Sequence, residues 1–204
     1  MHAVDSLLTL VVYQFLLYSH VLIFALALAE VLRQDWRLLR AARLDIRELE
    51  EVAGRVKWLL VLLWATGIPL VGLTFDWDVS HLITKPKLLT KIIVVLALTL
   101  NGVMIHAAVL PMLKSGRATL RYTAVVSCFA GAFSTVSWLY ASFVGVARLI
   151  APKLDLIQFV GLYSILLAGG LAFALLILRR RMECLIANDP PPALVPSVSF
   201  DRSR

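Results

Sequence analysis

Charge is scarce in this chain: Asp, Glu, Lys and Arg make up 16% of its 204 residues, where soluble domains carry about a quarter. Hydrophobic residues fill 60% of it and the mean hydropathy is +0.86, which argues against an ordinary water-soluble domain. Cysteine is almost missing as well. Cys128 sits inside an apolar run and Cys184 beyond a basic helix end, and no C-x-x-C occurs. That excludes a disulfide framework and leaves free thiols. Acidic residues number 13 against 20 basic ones, for a net charge of +7. The excess could signal nucleic acid, but the cations cluster at the ends of apolar runs. Such clustering is the pattern of membrane topology and argues against a nucleic-acid partner. A Walker loop, a nucleophile elbow, H-E-x-x-H, internal repeats and paired broken helices are all lacking, so the common signatures of hydrolases and transporter cores do not apply.

What is there is apolar sequence in lengths that cross a bilayer, which takes about 20 residues. Five runs, at about 6–32, 58–75, 88–113, 122–147 and 156–178, predict an all-α polytopic membrane bundle over residues 1–185. The first run follows MHAVD, which has no Lys or Arg. Ala27-Leu28-Ala29 looks like a cleavage site, but the run before it is too long for a signal peptide, so an uncleaved first helix is expected. Between the first two runs, residues 33–57 space Leu39, Ala42, Ile46, Leu49, Ala53 and Val56 in steps of three and four. The spacing predicts an amphipathic cytosolic connection, lying on the membrane surface or extending the first helix. Trp58 and Trp77 bracket the second run as interfacial anchors, and Gly67 and Pro69 interrupt it. Asp76, Asp78 and His81 follow on a short loop that reads as a solvated turn rather than a metal site. The end, NDPPPALVPSVSFDRSR, is proline-rich and reads as a disordered cytosolic tail over 186–204.

Orientation comes from the cations. Fifteen of them fall in the first loop, the third loop and the C-terminal region, against five (Lys85, Lys87, Lys91, Arg148, Lys153) on the other side. The positive-inside rule then puts the N-terminus outside and the C-terminus in the cytosol. In the fourth run Ser127, Gly131, Ser134, Trp138 and Gly145 share one face, and in the fifth Gly161, Ala168 and Ala172 do. Small residues at such spacing let helices approach closely. The Ser127, Gly131, Ser134 face is therefore the expected surface for a second copy or a membrane partner.

The awkward residues lie in the third run, KPKLLTKIIVVLALTLNGVMIHAAVLP. Lys91, Val95, Thr99, Gly102 and His106 fall on one side of a helix. Ionisable groups inside a membrane are costly and usually face the bundle interior, so this stripe is expected against other helices. In the first run Tyr13, His20 and Ala27 share a face, with Glu30 near the far end. Counted from the outer helix ends, His20 and His106 fall at similar depth; counted from the inner flanks, they differ by about 7.5 Å. At matched depth the two imidazoles would hold a metal or haem iron from two sides, with Lys91 and Glu30 in support.

A first-run His, a Thr66-Gly67 turn with Pro69 behind it, and a third run reading K-x-x-L-x-x-K followed by N-G-x-x-x-H resemble a broad group of small bacterial membrane proteins. That group includes the copper-resistance D type, the J-type protoporphyrinogen oxidases and families of unknown function. Glu30, ten residues after His20, is similar to one of the uncharacterised families. The resemblance covers about residues 6–113 and implies a bacterial inner-membrane protein with a haem-type helical core. It implies haem b as cofactor, bound through His20, with Lys91 functional. Copper(I) favours soft ligands, and Met clusters and paired Cys are lacking here. Three functions stand at this point: a haem b redox protein with ligands on the first and third helices, a permeation protein with Lys91, Asn101 and His106 lining a polar path, and a non-enzymatic membrane subunit.

Overall fold

The computed structural model describes residues 2–75, 84–116 and 118–188. Five helices account for most of them: α1 His2–Arg40, α2 Ile46–Phe75, and α3 Pro86–Ser115, α4 Leu120–Val146 and α5 Leu156–Ala187. All five are long and apolar enough to cross a membrane, and the described residues contain no strand. Their outer faces carry exposed Phe15, Tyr18, Leu100, Val146, Ile165 and Leu176. An apolar surface of that extent belongs against lipid. The chain is an all-α, multi-pass integral membrane protein.

Segment 33–57 extends both helices instead of lying flat. α1 runs unbroken to Arg40 and α2 starts at Ile46, with Asp45 accepting the Glu48 N–H at 3.0 Å in the turn between. Its apolar residues have a core of their own to serve. Leu38, Leu44, Ile46 and Leu49 pack with Val109 and Leu113 of α3 and Leu185 of α5. The polar residues stitch the hairpin: Arg37 pairs with Glu48, and Arg55 reaches Glu30 at 3.6 Å. Residues 76–83, with Trp77, Asp76, Asp78 and His81, and residues 189–204 of the expected tail lie outside the described residues; the tail does not start at 186, because α5 continues to Ala187 and Ile186 packs beside Leu185.

Local chemistry sets the remaining helix ends. Pro86 opens α3, where its missing N–H costs nothing, and Gly116 at φ 59° closes it in the left-handed conformation that glycine tolerates. Thr119 caps α4 by accepting the Tyr122 N–H. Asp155 and Gln158 form a reciprocal capping box on α5. Within α3, residues Ile105–Val109 widen into a π turn, and Leu110 donates to the Ile105 carbonyl. Pro111 follows directly. It can donate no N–H to Ala107, and its ring crowds that carbonyl, so the wider turn absorbs the fault.

α4 is the most buried helix and forms the centre. Trp138, Tyr140 and Val144 pack with Ala27 and Val31 of α1, Leu60 and Leu63 of α2, Val94 and Leu98 of α3, and Phe159 and Tyr163 of α5. Hydrogen bonds pin the contacts: Tyr140 to the Phe159 carbonyl at 2.6 Å, Ser137 with Tyr163 at 2.8 Å, and Thr135 to Asp35 at 2.5 Å. The close-approach glycines are not those expected on α4. A Cβ on Gly131, Gly145 or Gly161 would meet nothing within 4 Å, whereas one on Gly170 of α5 would run into Val136. Of the expected partner face, Ser127 is buried inside the bundle. α1 and α2 pack along their length, but α2 and α3 touch little, and that gap holds the candidate site.

Candidate functional site

Two contacts fix how α2 passes α3. The Trp64 indole donates to Thr99 Oγ1 at 3.1 Å, and Lys114 meets Glu50 at 2.7 Å. Between these pins the helices part over a cavity of about 430 Å³, within the usual range for ligand pockets. Lys57, Leu60 and Trp64 line it from α2, Asn101 and His106 from α3, and Ser134 and Trp138 from α4. Val61 and Val103 stand at its edge, 47% and 60% exposed. The cavity is thus a cleft that opens sideways, toward the lipid.

His106 reaches the cleft from the π turn, a feature that often marks functional positions. Its Nδ1 lies 2.9 Å from the Gly102 carbonyl, one turn back. A carbonyl only accepts, so Nδ1 carries the proton, and in the neutral ring Nε2 keeps its lone pair. Imidazoles that ligate metals are commonly held this way, by a hydrogen bond at the other nitrogen. Asn101 donates its amide to the Ala130 carbonyl at 3.1 Å. Its Oδ1 is buried and has no partner among the described residues, which leaves it able to accept from a donor brought into the cleft.

The stripe proposed for α3 faces α2 at the edge of the interior rather than its centre. Lys91, Val95, Thr99 and His106 are half-buried, and the ridge beside them, Thr90, Val94, Leu98 and Asn101, is fully buried. His20 occupies a different place. Its Nδ1 is 2.8 Å from Thr66 Oγ1, and its ring lies against Gly67. Thr66 itself donates to the Leu62 carbonyl at 2.8 Å, and in that arrangement the imidazole Nδ1–H is the donor and Nε2 is again free. The Thr66-Gly67 pair is therefore the seat of His20: a hydroxyl to hold the ring and a missing side chain to admit it.

The two histidines sit at different depths. Interpolating between the two α2–α3 pins puts His106 level with about Lys57. His20 is level with Thr66, nine residues along α2 from Lys57, or about 13 Å. Lys91 lies farther out still, about 22 Å along α3 from His106, and does not line the cleft. Glu30 is engaged by Arg33 at 2.5 Å through both oxygens and by Arg55. Among the described residues no group of three or more His, Cys, Asp or Glu could hold a metal ion.

The chain matches no family model, no curated protein and no solved structure. The geometry itself has to carry the functional reading. Reading the sequence singled out His106 and Asn101 but passed over Lys57 and Trp64. Those two are seven residues apart, so they share a helix face; that spacing was the available signal.

Proposed function

We propose that this chain is an inner-membrane haem b protein of the kind its motifs resemble, with the haem seated in the cleft between α2, α3 and α4. The observation that carries the reading is His106: a half-buried imidazole whose Nδ1–H is committed to Gly102 and whose Nε2 is free in a lipid-side cleft. In this reading His106 is the residue that would hold the haem, through Nε2. The half-buried Trp64 supplies an apolar wall, and the buried Trp138 closes the cleft from behind. The orphaned Oδ1 of Asn101 supports an occupant, since a bound group or a water carried with it would provide the missing donor. Bound haem would supply one-electron chemistry, with the protein setting its potential through ligand, hydrogen bonds and burial.

The rest of the site fits that role. Gly102 orients the imidazole, which favours a single ligand geometry. Thr99 and Trp64 satisfy each other, so neither competes for the occupant. His20 and Lys91 belong to the other half of the bundle, and in this reading His20 holds α1 to α2 through Thr66. A polar path through Lys91, Asn101 and His106 gains less support, because Asn101 is tied to Ala130 and the cleft opens to lipid. The orientation belongs to the same proposal, with the Arg-rich α1–α2 turn and the α5 end in the cytosol.

The test is the visible spectrum of the protein purified in detergent after expression with ample haem supply. A Soret band that shifts on dithionite reduction and is lost in His106→Ala is the expected result. A colourless wild type, or a band unchanged by His106→Ala, overturns the reading.

A further inference from the structure

The cleft carries a positive charge with no protein counter-charge. Lys57 lines it at about the level of His106, and among the described residues no acidic side chain lines it. The carboxylates around it are already engaged. Glu30 is held by Arg33 and Arg55, Glu48 by Arg37, Glu50 by Lys114, and Glu51 lies 3.9 Å from Arg55. Lys57 makes no ion pair among the described residues; its ammonium stands 5.8 Å from the centre of the Trp58 ring. Trp58 is 65% exposed, in the manner of an indole at the headgroup boundary. The lysine therefore joins an apolar cleft to a polar interface, with its long stem free to swing between them.

We propose that Lys57 is the specificity-determining cation of the cleft, pairing with a carboxylate on the edge of a flat apolar ligand. On the haem reading, on which this inference rests, that edge is the propionate side of haem b. The ligand enters sideways from the lipid, past Val61 and Val103, with its apolar body against Leu60 and Trp64. Its acid edge stays at the interface, where Lys57 meets it. Ligation by His106 and pairing with Lys57 are separate interactions from different helices, so each can be removed alone.

The experiment titrates the purified full-length protein in detergent with haem b and with haem b dimethyl ester, which keeps the iron and the ring but not the charge. Soret absorbance is read in wild type, Lys57→Gln, Lys57→Arg and His106→Ala. An ion pair of this exposure contributes up to about 1 kcal/mol, so wild type should prefer the diacid about fivefold. Lys57→Gln should weaken the diacid by that factor and leave the ester unchanged, and Lys57→Arg should restore the preference. His106→Ala sets the background for haem held only by detergent. Equal affinity for diacid and ester in wild type, with both lost in His106→Ala, overturns the role of Lys57 and leaves the haem reading standing. If neither ligand exceeds the His106→Ala background, both fall.

Discussion

Nδ1 of His20 lies 2.8 Å from Oγ1 of Thr66, across the α1–α2 interface. The next residue makes that contact sterically possible. A Cβ on Gly67 would stand 3.2 Å from His20 Cε1, tighter than ordinary van der Waals contact. Gly67→Val should therefore overpack the interface and lower stability by about 1–3 kcal/mol. Thermal unfolding in detergent measures it. The attribution is checked in a His20→Ala background, where the cost of Gly67→Val should largely vanish. An equal cost in both backgrounds would place the strain somewhere other than the imidazole.

The fourth and fifth helices offer a paired comparison. A Cβ on Gly170 would run into Val136, and one on Gly131 would meet nothing within 4 Å. Gly170→Ala should be destabilising. Gly131→Ala should be neutral or slightly stabilising, because alanine restricts the unfolded chain more than glycine does. Unfolding temperatures of the two variants should thus move apart. If Gly131→Ala proved the worse of the two, that face would be held against another protein surface, as the small-residue pattern first suggested.

How much of this was legible in the sequence depends on what kind of signal each feature left. The five spans were plain, because lipid demands long apolar runs and the chain supplies them. The fate of residues 33–57 was not. An amphipathic pattern serves equally for a helix on a membrane surface and for two helix ends packed on each other, and only the partners Val109, Leu113 and Leu185 decide. Thr66, Gly67 and His20 each stand out in the sequence, but that the first two seat the third is a tertiary fact with no local trace. Depth failed for a similar reason. Counting from the outer ends assumed that α1 and α3 begin level. Taking Ser6 and Thr90 as those ends, the interhelix contacts instead put Thr90 level with about Tyr13, so Ser6 lies about 10 Å farther out than Thr90. The π turn at His106 could have been suspected from Pro111, since proline inside a helix must displace something.

Topology has a direct test. Arg181 donates to the Ala41 carbonyl at 3.1 Å, so the α1–α2 turn and the start of the last basic stretch share one side of the bundle. Reporters inserted at 41–45 and fused after Arg181 should both read cytosolic. A reporter within 148–154, between α4 and α5, should read external. Opposite signals from the first two would break the five-helix arrangement, whereas the same signal reversed at all three sites would invert the orientation alone.

The two histidines give the most discriminating prediction. Both present a free Nε2, so chemistry alone does not choose between them as ligands. Position does: His106 opens on the cleft, while His20 is pressed against Gly67 about 13 Å away along the axis. His106→Ala should abolish the Soret band and, compared with haem-free wild type, cost little stability, because its side-chain hydrogen bond is to its own helix. His20→Ala should keep the band. It removes an interhelical hydrogen bond, worth about 0.6 kcal/mol on average within membranes, and leaves space beside Gly67, so its unfolding temperature should fall. The pair of measurements forms a crossed pattern, one variant losing colour and the other stability. If His20→Ala also bleached the protein while remaining folded, iron would have to be shared between the helices. That would require α1 to slide along α2 against both the Thr66 contact and the Glu30–Arg55 pair.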